Sequence, residues 1–544
     1  MIRISQLKLE INHSIEDLER ELKKKAYGQK PSSYEIIRRS IDARKKPLIY
    51  YNYTIDATFP MEDKILKKRG NRWRESAPVI FDFPNLSGQK VEGGQRPVVV
   101  GTGPAGLFAG LLLARAGCRP ILFERGDSVD RRQEKVDRFF KTGQLDTNSN
   151  VQFGEGGAGT FSDGKLNTMV KDKYGRNRYV LKEFVSHGAP EEILYDAKPH
   201  IGTDILKNVV VSIRQEIIEL GGEVHFNSRV SQLMMKEDVL GKRKIIGLKV
   251  VSTQGDSEAM QEYACNNVIL AIGHSSRDTL RSLYDEGVPM QARPFAVGVR
   301  VEHPAEMINE SQYGHEAAKL LGPATYKLTH QCANGRGIYS FCMCPGGYVV
   351  NSSSEEGRLC VNGMSYHNRD SANSNSALIT TVTPEDYPSD HPLAGLQFQE
   401  KYEALAYQAG GSNYHIPIQL YGDFQENRVS TGFGAFHNVT EGKSTFANLR
   451  EILPEYVTES LLEGMQAFGR KIKGFDREDA IFSGIEARTS SPVRILREKS
   501  LESSIEGLYP CGEGAGYAGG ITSAAMDGLK CGQAVLEKMI DKER

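Results

Sequence analysis

The run Pro97-Val98-Val99-Val100-Gly101-Thr102-Gly103-Pro104-Ala105-Gly106-Leu107-Phe108-Ala109 decides how this chain is read. Three valines form a short buried strand, GxGxxG forms the turn, and the apolar residues from Leu107 continue a helix. In that context each glycine has a task. Gly101 permits the tight turn, Gly103 lets a pyrophosphate approach the backbone without meeting a Cβ, and Gly106 lets the helix pack closely on the strand. The helix opening at Pro104 and Ala105 turns its N–H groups and its positive dipole end toward the phosphates. A second strand, Pro120 to Phe123, ends in Glu124, 18 residues after Gly106 and followed by Arg125. A carboxylate there accepts hydrogen bonds from ribose hydroxyls. The turn therefore predicts a bound dinucleotide.

Outward from the turn, strand, glycine turn, helix and strand alternate as in the βαβ units of a parallel sheet. A long helix is predicted over Asp204 to Leu220, capped by Thr203 or Asp204 and closed by Gly221-Gly222, with short strands at Glu223 to Phe226, Lys244 to Val251 and Asn267 to Ile272. From about Arg293 the pattern becomes strand-rich: Phe295 to Glu302, Gly337 to Met343, Tyr348 to Asn351, Arg358 to Asn362 and Leu378 to Val382. This reads as a second, largely antiparallel domain. After Gly474 a strand and glycine turn return at Gly507 to Gly520, before a closing helix. In front lies a basic module, with 18 Lys and Arg against 11 Asp and Glu in residues 1–75. It is predicted as α+β, with helices at Ile15 to Lys25 and Tyr34 to Arg44 and a strand at Leu48 to Ala57. Asn85 to Gln95 has the glycine-rich, polar make-up of a linker.

Composition narrows the function classes. The whole chain of 544 residues carries 68 basic and 69 acidic side chains, so net charge exerts no pull toward nucleic acid or anionic lipid. The basic charges of the N-terminal module lie mostly on helix faces and read as a solvated surface, with an RNA- or partner-binding face as the alternative. No run approaches the roughly 18 apolar residues of a membrane span, and Met1 to Glu10 does not open a signal peptide, so a cytoplasmic protein without a membrane anchor is expected. Eight cysteines without a CxxC pair support neither a disulfide framework nor a zinc ribbon, and no metal site is expected.

Two further strings fit GxGxxG by letter. Gly154-Glu155-Gly156-Gly157-Ala158-Gly159 follows Asn148-Ser149-Asn150 instead of an apolar strand, and is read as a flexible loop near the cofactor, with Gly157 in contact with it. The other lies in Gly507-Leu508-Tyr509-Pro510-Cys511-Gly512-Glu513-Gly514-Ala515-Gly516-Tyr517-Ala518-Gly519-Gly520-Ile521, which resembles the closing FAD motif of two-dinucleotide-domain flavoproteins. Val268 to Gly273 is similar to the strand and "ATG" turn of such enzymes, with Ile272 in place of the usual Thr. With Phe153 to Leu166, Phe295 to Pro304, Cys342 to Gly347 and Ile485 to Arg494, the chain over about 95–544 resembles the poorly characterised FAD-dependent dehydrogenases called NAD(FAD)-utilising dehydrogenases.

That resemblance implies FAD as the cofactor. It implies an α/β architecture: a discontinuous Rossmann-like FAD-binding domain of residues 96–290 plus 476–544, an inserted domain of 291–475 roofing the flavin, and the small domain of 1–85 in front. It implies that Gly512 and Glu513 contact the ribityl chain or pyrophosphate, that Gly520 and Ile521 open a helix pointing at the flavin ring, that Gly273 turns beside the cofactor, and that Val230 meets the adenine through its backbone. A FAD-dependent oxidoreductase acting on a small-molecule substrate follows. No second strand-supported GxGxxG marks a separate NAD(P)H domain, and NADH or NADPH is a candidate electron donor. A flavin-dependent RNA-modifying protein is the alternative.

For catalysis the candidates are Arg488 and Lys165. Arg488, in a polar loop, either binds an anionic substrate or reduced flavin, or ties domains together. Lys165, with Asp163, belongs to the glycine loop. His274 and His303 read as structural residues, and Arg300-Val301-Glu302-His303 as an internal salt bridge. Cys342 and Cys344 share one strand face, opposite Tyr339, Phe341 and Met343 as core; two buried, inert thiols are the default, with a flavin-linked dithiol as the alternative.

Overall fold

Val98–Val100 is the middle strand of a five-stranded parallel sheet, in the order Leu508–Pro510, Val268–Leu270, Val98–Val100, Ile121–Phe123, Glu223–His225. The structure is a computed structural model describing residues 1–69, 73–83, 95–255 and 257–541; of the linker Asn85 to Gln95, all but Gln95 lies outside the described residues. The three strands nearest the C-terminal edge are buried along their whole length, which is why their sequences are uninterrupted apolar runs. The segment Leu508–Pro510 returns from far along the chain to pair with Val268–Leu270, so the cofactor-type domain is discontinuous.

The helix Pro104–Arg115 is buried from Ala105 to Ala114, because it runs between the sheet, the helix Thr203–Glu219 and the closing helix Ile521–Asp541. Its approach to the closing helix depends on glycine: a Cβ on Gly528 would overlap the carbonyl oxygen of Ala105. Thr203 does not cap its helix. It is the first helical residue, after Gly202 (φ 88°), and its hydroxyl is donated to Thr160 O. An antiparallel three-stranded sheet, Ser228–Glu237, Arg243–Gln254 and Ser257–Ala264, follows the edge strand Glu223–His225.

The inserted domain is built on a seven-stranded sheet in the order Thr329–Gln331, Gly337–Cys344, Asn373–Val382, Phe295–Pro304, Ile481–Glu486, Ile416–Leu420, Ser444–Phe446, with antiparallel pairs throughout except the last. Ile481–Glu486 lies inside this sheet, hydrogen-bonded on both sides, so the expected boundary at 475 is corrected: the inserted domain runs on to about Glu486. A smaller sheet, Val361–Met364, Tyr348–Asn351 and Thr440–Glu441, covers one side. Its first strand starts three residues later than Arg358.

In the N-terminal module, the helix Ile15–Lys25 has a capping box, with Ser14 Oγ accepting from Asp17 N and the Asp17 carboxylate accepting from Ser14 N. The helix expected at Tyr34 to Arg44 is a strand, Ser33–Lys45, paired with Leu48–Thr58 across a tight hairpin and joined by Ile2–Glu10 and Trp73–Glu75 in one sheet. Tyr34 and Ile36 pack on the module's core, and a ready antiparallel partner starting three residues beyond Lys45 outweighs the helical spacing of its charges. The module docks by extending backbone pairing: Arg39 N donates to Tyr195 O at 2.7 Å and Ala197 N to Arg39 O at 2.8 Å, while the Arg39 guanidinium meets Asp196 at 2.8 and 3.1 Å. No described helix is long and apolar enough to cross a membrane.

Gly528→Val tests the helix contact. Backbone, not a flexible side chain, occupies the space, so the cost exceeds the roughly 1–3 kcal/mol of ordinary overpacking. We expect a markedly lower thermal midpoint, or insoluble protein; a wild-type midpoint would show that the two helices do not touch as described.

Candidate functional site

The dinucleotide turn is held from behind by Glu124. Its Oε2 accepts from Thr102 N at 2.9 Å and Thr102 Oγ1 at 2.8 Å, and its Oε1 accepts from Gly126 N and Gly154 N, both at 3.0 Å. A carboxylate offers about four lone-pair directions, and these four donors use them. The expectation that Glu124 waits for ribose is corrected accordingly: the buried carboxylate clamps the turn to the glycine loop. Arg125 is likewise engaged. It meets Asp278 at 2.9 and 3.0 Å and Asn148 at 3.2 Å, over the Phe153 ring, and only its buried Nε lacks a partner.

The glycine loop is not the flexible segment its composition suggests. It wraps around Arg132, a fully buried side chain that donates to the carbonyls of Asn150, Val151, Glu155 and Gly157 at 2.8–2.9 Å and to Thr160 Oγ1 at 2.7 Å. Gly154 (φ 123°) has no room for a Cβ beside Arg132, and Gly156 N donates to Thr102 O at 2.9 Å. The loop thus stands over the dinucleotide turn, with Gly157 Cα 3.9 Å from where a Cβ on Gly103 would be.

Between these turns the chain leaves a cradle. Gly103 is the N-cap of the helix Pro104–Arg115 and offers no side-chain cap, so the first amides of the helix remain for a ligand. Cβ atoms built on Gly273, Gly519 and Gly520 meet nothing within 4 Å, whereas one on Gly514 would overlap Gly273 O, locking the two turns together. Gly512 (φ 74°) directs the chain into Glu513, which lies 4.0 Å from His274 Nε2; burial pushes the Glu513 carboxyl up to about 7. A desolvated carboxylate short of donors suits the hydroxyls of a ribityl chain. The cradle therefore fits FAD: uncapped amides for the pyrophosphate, Glu513 for hydroxyls, and open glycines before Ile521 for the ring end. Val230, by contrast, is buried in the core with Val98 and Val100. A cleft of about 680 Å³ lined by Asp127, Arg131, Lys135, Arg138, Phe226 and Asn227 opens where the adenine-side strands end.

At the ring end, Thr522 Oγ1 donates to Leu166 O at 2.8 Å, and a Cβ on Gly159 would sit 3.3 Å from Ile521 Cγ1. This places Lys165 beside the first turn of the closing helix. Lys165 Nζ lies 3.4 Å from Asp163 and 3.9 Å from Cys344 Sγ. Asp163 also receives Arg369 at 3.0 Å and through a second, shorter bond. Burial opposes the charge of Asp163, but Lys165 and Arg369 outweigh it and hold the carboxyl below its ordinary range. One carboxylate between two cations leaves a net positive charge in this cluster.

Arg488 takes the structural alternative. It is buried, with Nε and Nη2 on Glu403 at 2.9 and 2.8 Å and Nη1 on Ser354 Oγ at 2.6 Å; Arg277, fully buried, grips the same Glu403 at 2.6 and 2.9 Å. These bonds, with Ser354 and Glu403 both in the inserted domain, make it a tie between domains. His274 is neutral near pH 7, pushed down to about 3 by burial and by Arg488 and Arg277. His303 bonds Phe475 O at 2.6 Å, and burial pushes it to about 4. The stretch Arg300 to His303 does supply an internal salt bridge, through Arg300. Arg300 pairs with Glu486 on the neighbouring strand at 2.9 Å, while Glu302, pushed up to about 7 by burial, accepts from Asn373 Nδ2 and Val439 N. The cysteines do not follow simple alternation: Cys342 is exposed, Cys344 and Met343 are buried, and Tyr339 and Phe341 are half-buried against Ala377 and Ile379, because the strand bulges between Phe341 and Cys344.

Two groups of metal-ligating types, invisible to spacing, come together in space: His330, Cys332 and Glu463, and the buried Cys511, Asp527 and Cys531. These are the groups found among the described residues. His330 is hydrogen-bonded to Glu463 at 2.8 Å, and in the buried group Arg497 holds both oxygens of Asp527 at 2.9 and 2.8 Å where a cation would sit.

Residues 294–489 match the family model described as FAD-dependent protein, C-terminal domain-like, and residues 1–58 match a domain of unknown function. An uncharacterised protein of Clostridium beijerinckii is 50% identical over 543 residues, 99% of each chain. Among solved structures, the glycerol-3-phosphate dehydrogenase of Bacillus halodurans, bound to FAD, aligns over 83% of this chain and 65% of its own at 12% identity and TM-score 0.36. A flavoprotein/dehydrogenase of Cytophaga hutchinsonii aligns over 82% and 79% at 12% identity and TM-score 0.35.

Two expectations follow from this geometry. A side chain at Gly103 meets little protein, so Gly103→Val should fold with near wild-type stability yet lose its cofactor on gel filtration; full cofactor retention would show that the turn does not face phosphates. Glu403, held down to about 2 against an ordinary 4.5, contributes stability that is complete above pH 4.5 and lost as pH falls through 2. In urea unfolding, Glu403→Gln should be less stable at pH 7 and show a shallower acid limb than wild type. Parallel pH profiles would remove Glu403 from that role.

Proposed function

We propose that this chain, which belongs to one family with the Clostridium beijerinckii protein, is a FAD-dependent oxidoreductase of the NAD(FAD)-utilising type, acting on a small molecule held beneath the inserted domain. The observation that carries this reading is the convergence of Gly101 to Gly106 and Gly512 to Ile521, far apart in sequence, on adjacent sides of one cradle with uncapped helix amides. FAD bound there supplies two-electron transfer chemistry. The chain's own residues bind and orient. The amides after Gly103 hold phosphate, and the Glu513 carboxylate takes hydroxyl donors. Lys165, beside Thr522 and the first turn of the closing helix, sets a positive charge at the ring end, where it holds an anionic substrate group or balances negative charge on the reduced cofactor. The inserted domain, fastened by Arg277, Glu403 and Arg488, closes the space against bulk water. NADH or NADPH is the proposed electron donor.

The purified protein should be yellow, and heat denaturation should release FAD identifiable by chromatography. Anaerobic mixing with NADH or NADPH should bleach the flavin band. Release of FMN, or no chromophore after reconstitution with FAD, would overturn the cofactor; an unbleached band with both nucleotides would overturn the donor.

A further inference from the structure

Cys342 stands apart from the other cysteines. Seven of the eight are buried, and it alone is exposed. Its backbone is in the left-handed region (φ 41°), at the bulge where Phe341 pairs with Ala377 and Cys344 with Asn375. Such conformations persist in non-glycine residues only where the surroundings over-determine them. Here the clamp is Arg300: its Nη1 and Nη2 donate to Cys342 O at 3.3 and 3.1 Å, while Glu486 and Asn375 anchor the guanidinium at 2.9 and 2.6 Å. Gly363, on the covering sheet, leaves the room the guanidinium occupies, since any Cβ there would overlap Nη1.

The second sulfur is placed differently. Cys344 Sγ is buried, donates to Cys342 O at 3.2 Å, and receives Lys165 Nζ and Arg300 Nη1, each at 3.9 Å. Two cationic donors on one sulfur are the surroundings a thiolate needs. Lys165 also ties the pair to the cradle, because its neighbour Leu166 is bonded to Thr522 in the first turn of the closing helix.

We propose that Cys342 and Cys344 form a redox-active pair facing the cofactor cradle, with Cys342 the accessible, exchanging sulfur and Cys344 the buried sulfur held between Lys165 and Arg300. The step balances with the cofactor of the preceding reading, on which it rests. Both S–H bonds break, one S–S bond forms, and two electrons and two protons pass to oxidised FAD; the reverse reduces the disulfide. Burial pushes the Cys344 thiol up while Lys165 and Arg300 pull it back, so the reduced pair rests as thiols and the two cations stabilise the thiolate formed as the first proton leaves. A disulfide across so short a loop is strained and reducible, as an exchanging rather than a structural bond must be.

The test has two arms on the full-length protein. In the first, FAD-loaded protein is oxidised with diamide, freed of the reagent and titrated anaerobically with dithionite. Wild type should take up an electron pair beyond the one the flavin takes, and Cys342→Ser and Cys344→Ser should each lose that extra pair while keeping the flavin spectrum. In the second, protein treated with diamide is denatured, alkylated and digested with trypsin, and the peptide Gly337–Arg358, which holds these two cysteines and no other, is weighed. It should be unalkylated and about 2 Da lighter than the reduced peptide, the mass of the two hydrogens lost on closing a disulfide. Uptake of a single electron pair by wild type overturns the proposal, and so does a peptide alkylated at both cysteines. The diamide arm needs no cofactor, so a protein that closes the disulfide but binds no FAD overturns the cofactor reading and leaves the thiol pair standing.

Discussion

Arg132 carries the loop on which the site depends. A guanidinium with no exposed surface and no carboxylate in direct contact is costly to bury, and burial pushes its pKa down to about 10. Five neutral acceptors compensate for that cost, four of them carbonyls of the chain between Asn150 and Gly157. Glu124 does the complementary work on amides, taking Gly126 N and Gly154 N along with Thr102. One buried cation for carbonyls and one buried anion for amides turn a glycine-rich segment into a rigid wall. The glycines supply close approach, not motion.

The same economy holds the two large domains together. Arg277 and Arg488 come from the cofactor side and its edge, Glu403 from the helix Ala394–Ala409 of the inserted domain, and all three are buried. Such a cluster contributes little net stability against an apolar replacement, but it is intolerant of any other arrangement. Its value here is orientation, since the inserted domain must present Cys342 and Cys344 to the glycine loop that carries Lys165.

What was legible in the sequence was local. GxGxxG behind three valines, and Gly512 to Ile521 before a helix, each encode their geometry within a dozen residues, and the parallel sheet follows from them. Tyr34 to Arg44 misled because its charges recur at helical spacing, while the hairpin partner that decides its state lies beyond Pro47. The domain boundary missed Ile481–Glu486 because a strand's sheet membership is a property of its neighbours. Glu124 and Arg488 were ambiguous for the same reason: a charged residue's role is set by partners up to 134 positions away, and no spacing rule reaches them. The bulge at Cys342 was equally hidden, since alternation presumes a regular strand.

The cofactor-type sheet is finished by its last strand, Leu508–Pro510, and its central helix is covered by the closing helix. During synthesis, therefore, the helix Pro104–Arg115, apolar on every side, leaves the ribosome some four hundred residues before its cover. The inserted domain is complete by then and can fold first, so the nascent chain holds a finished roof over an unfinished floor. Its exposed apolar surface in that interval makes this protein a natural client of chaperones that bind chains still being made.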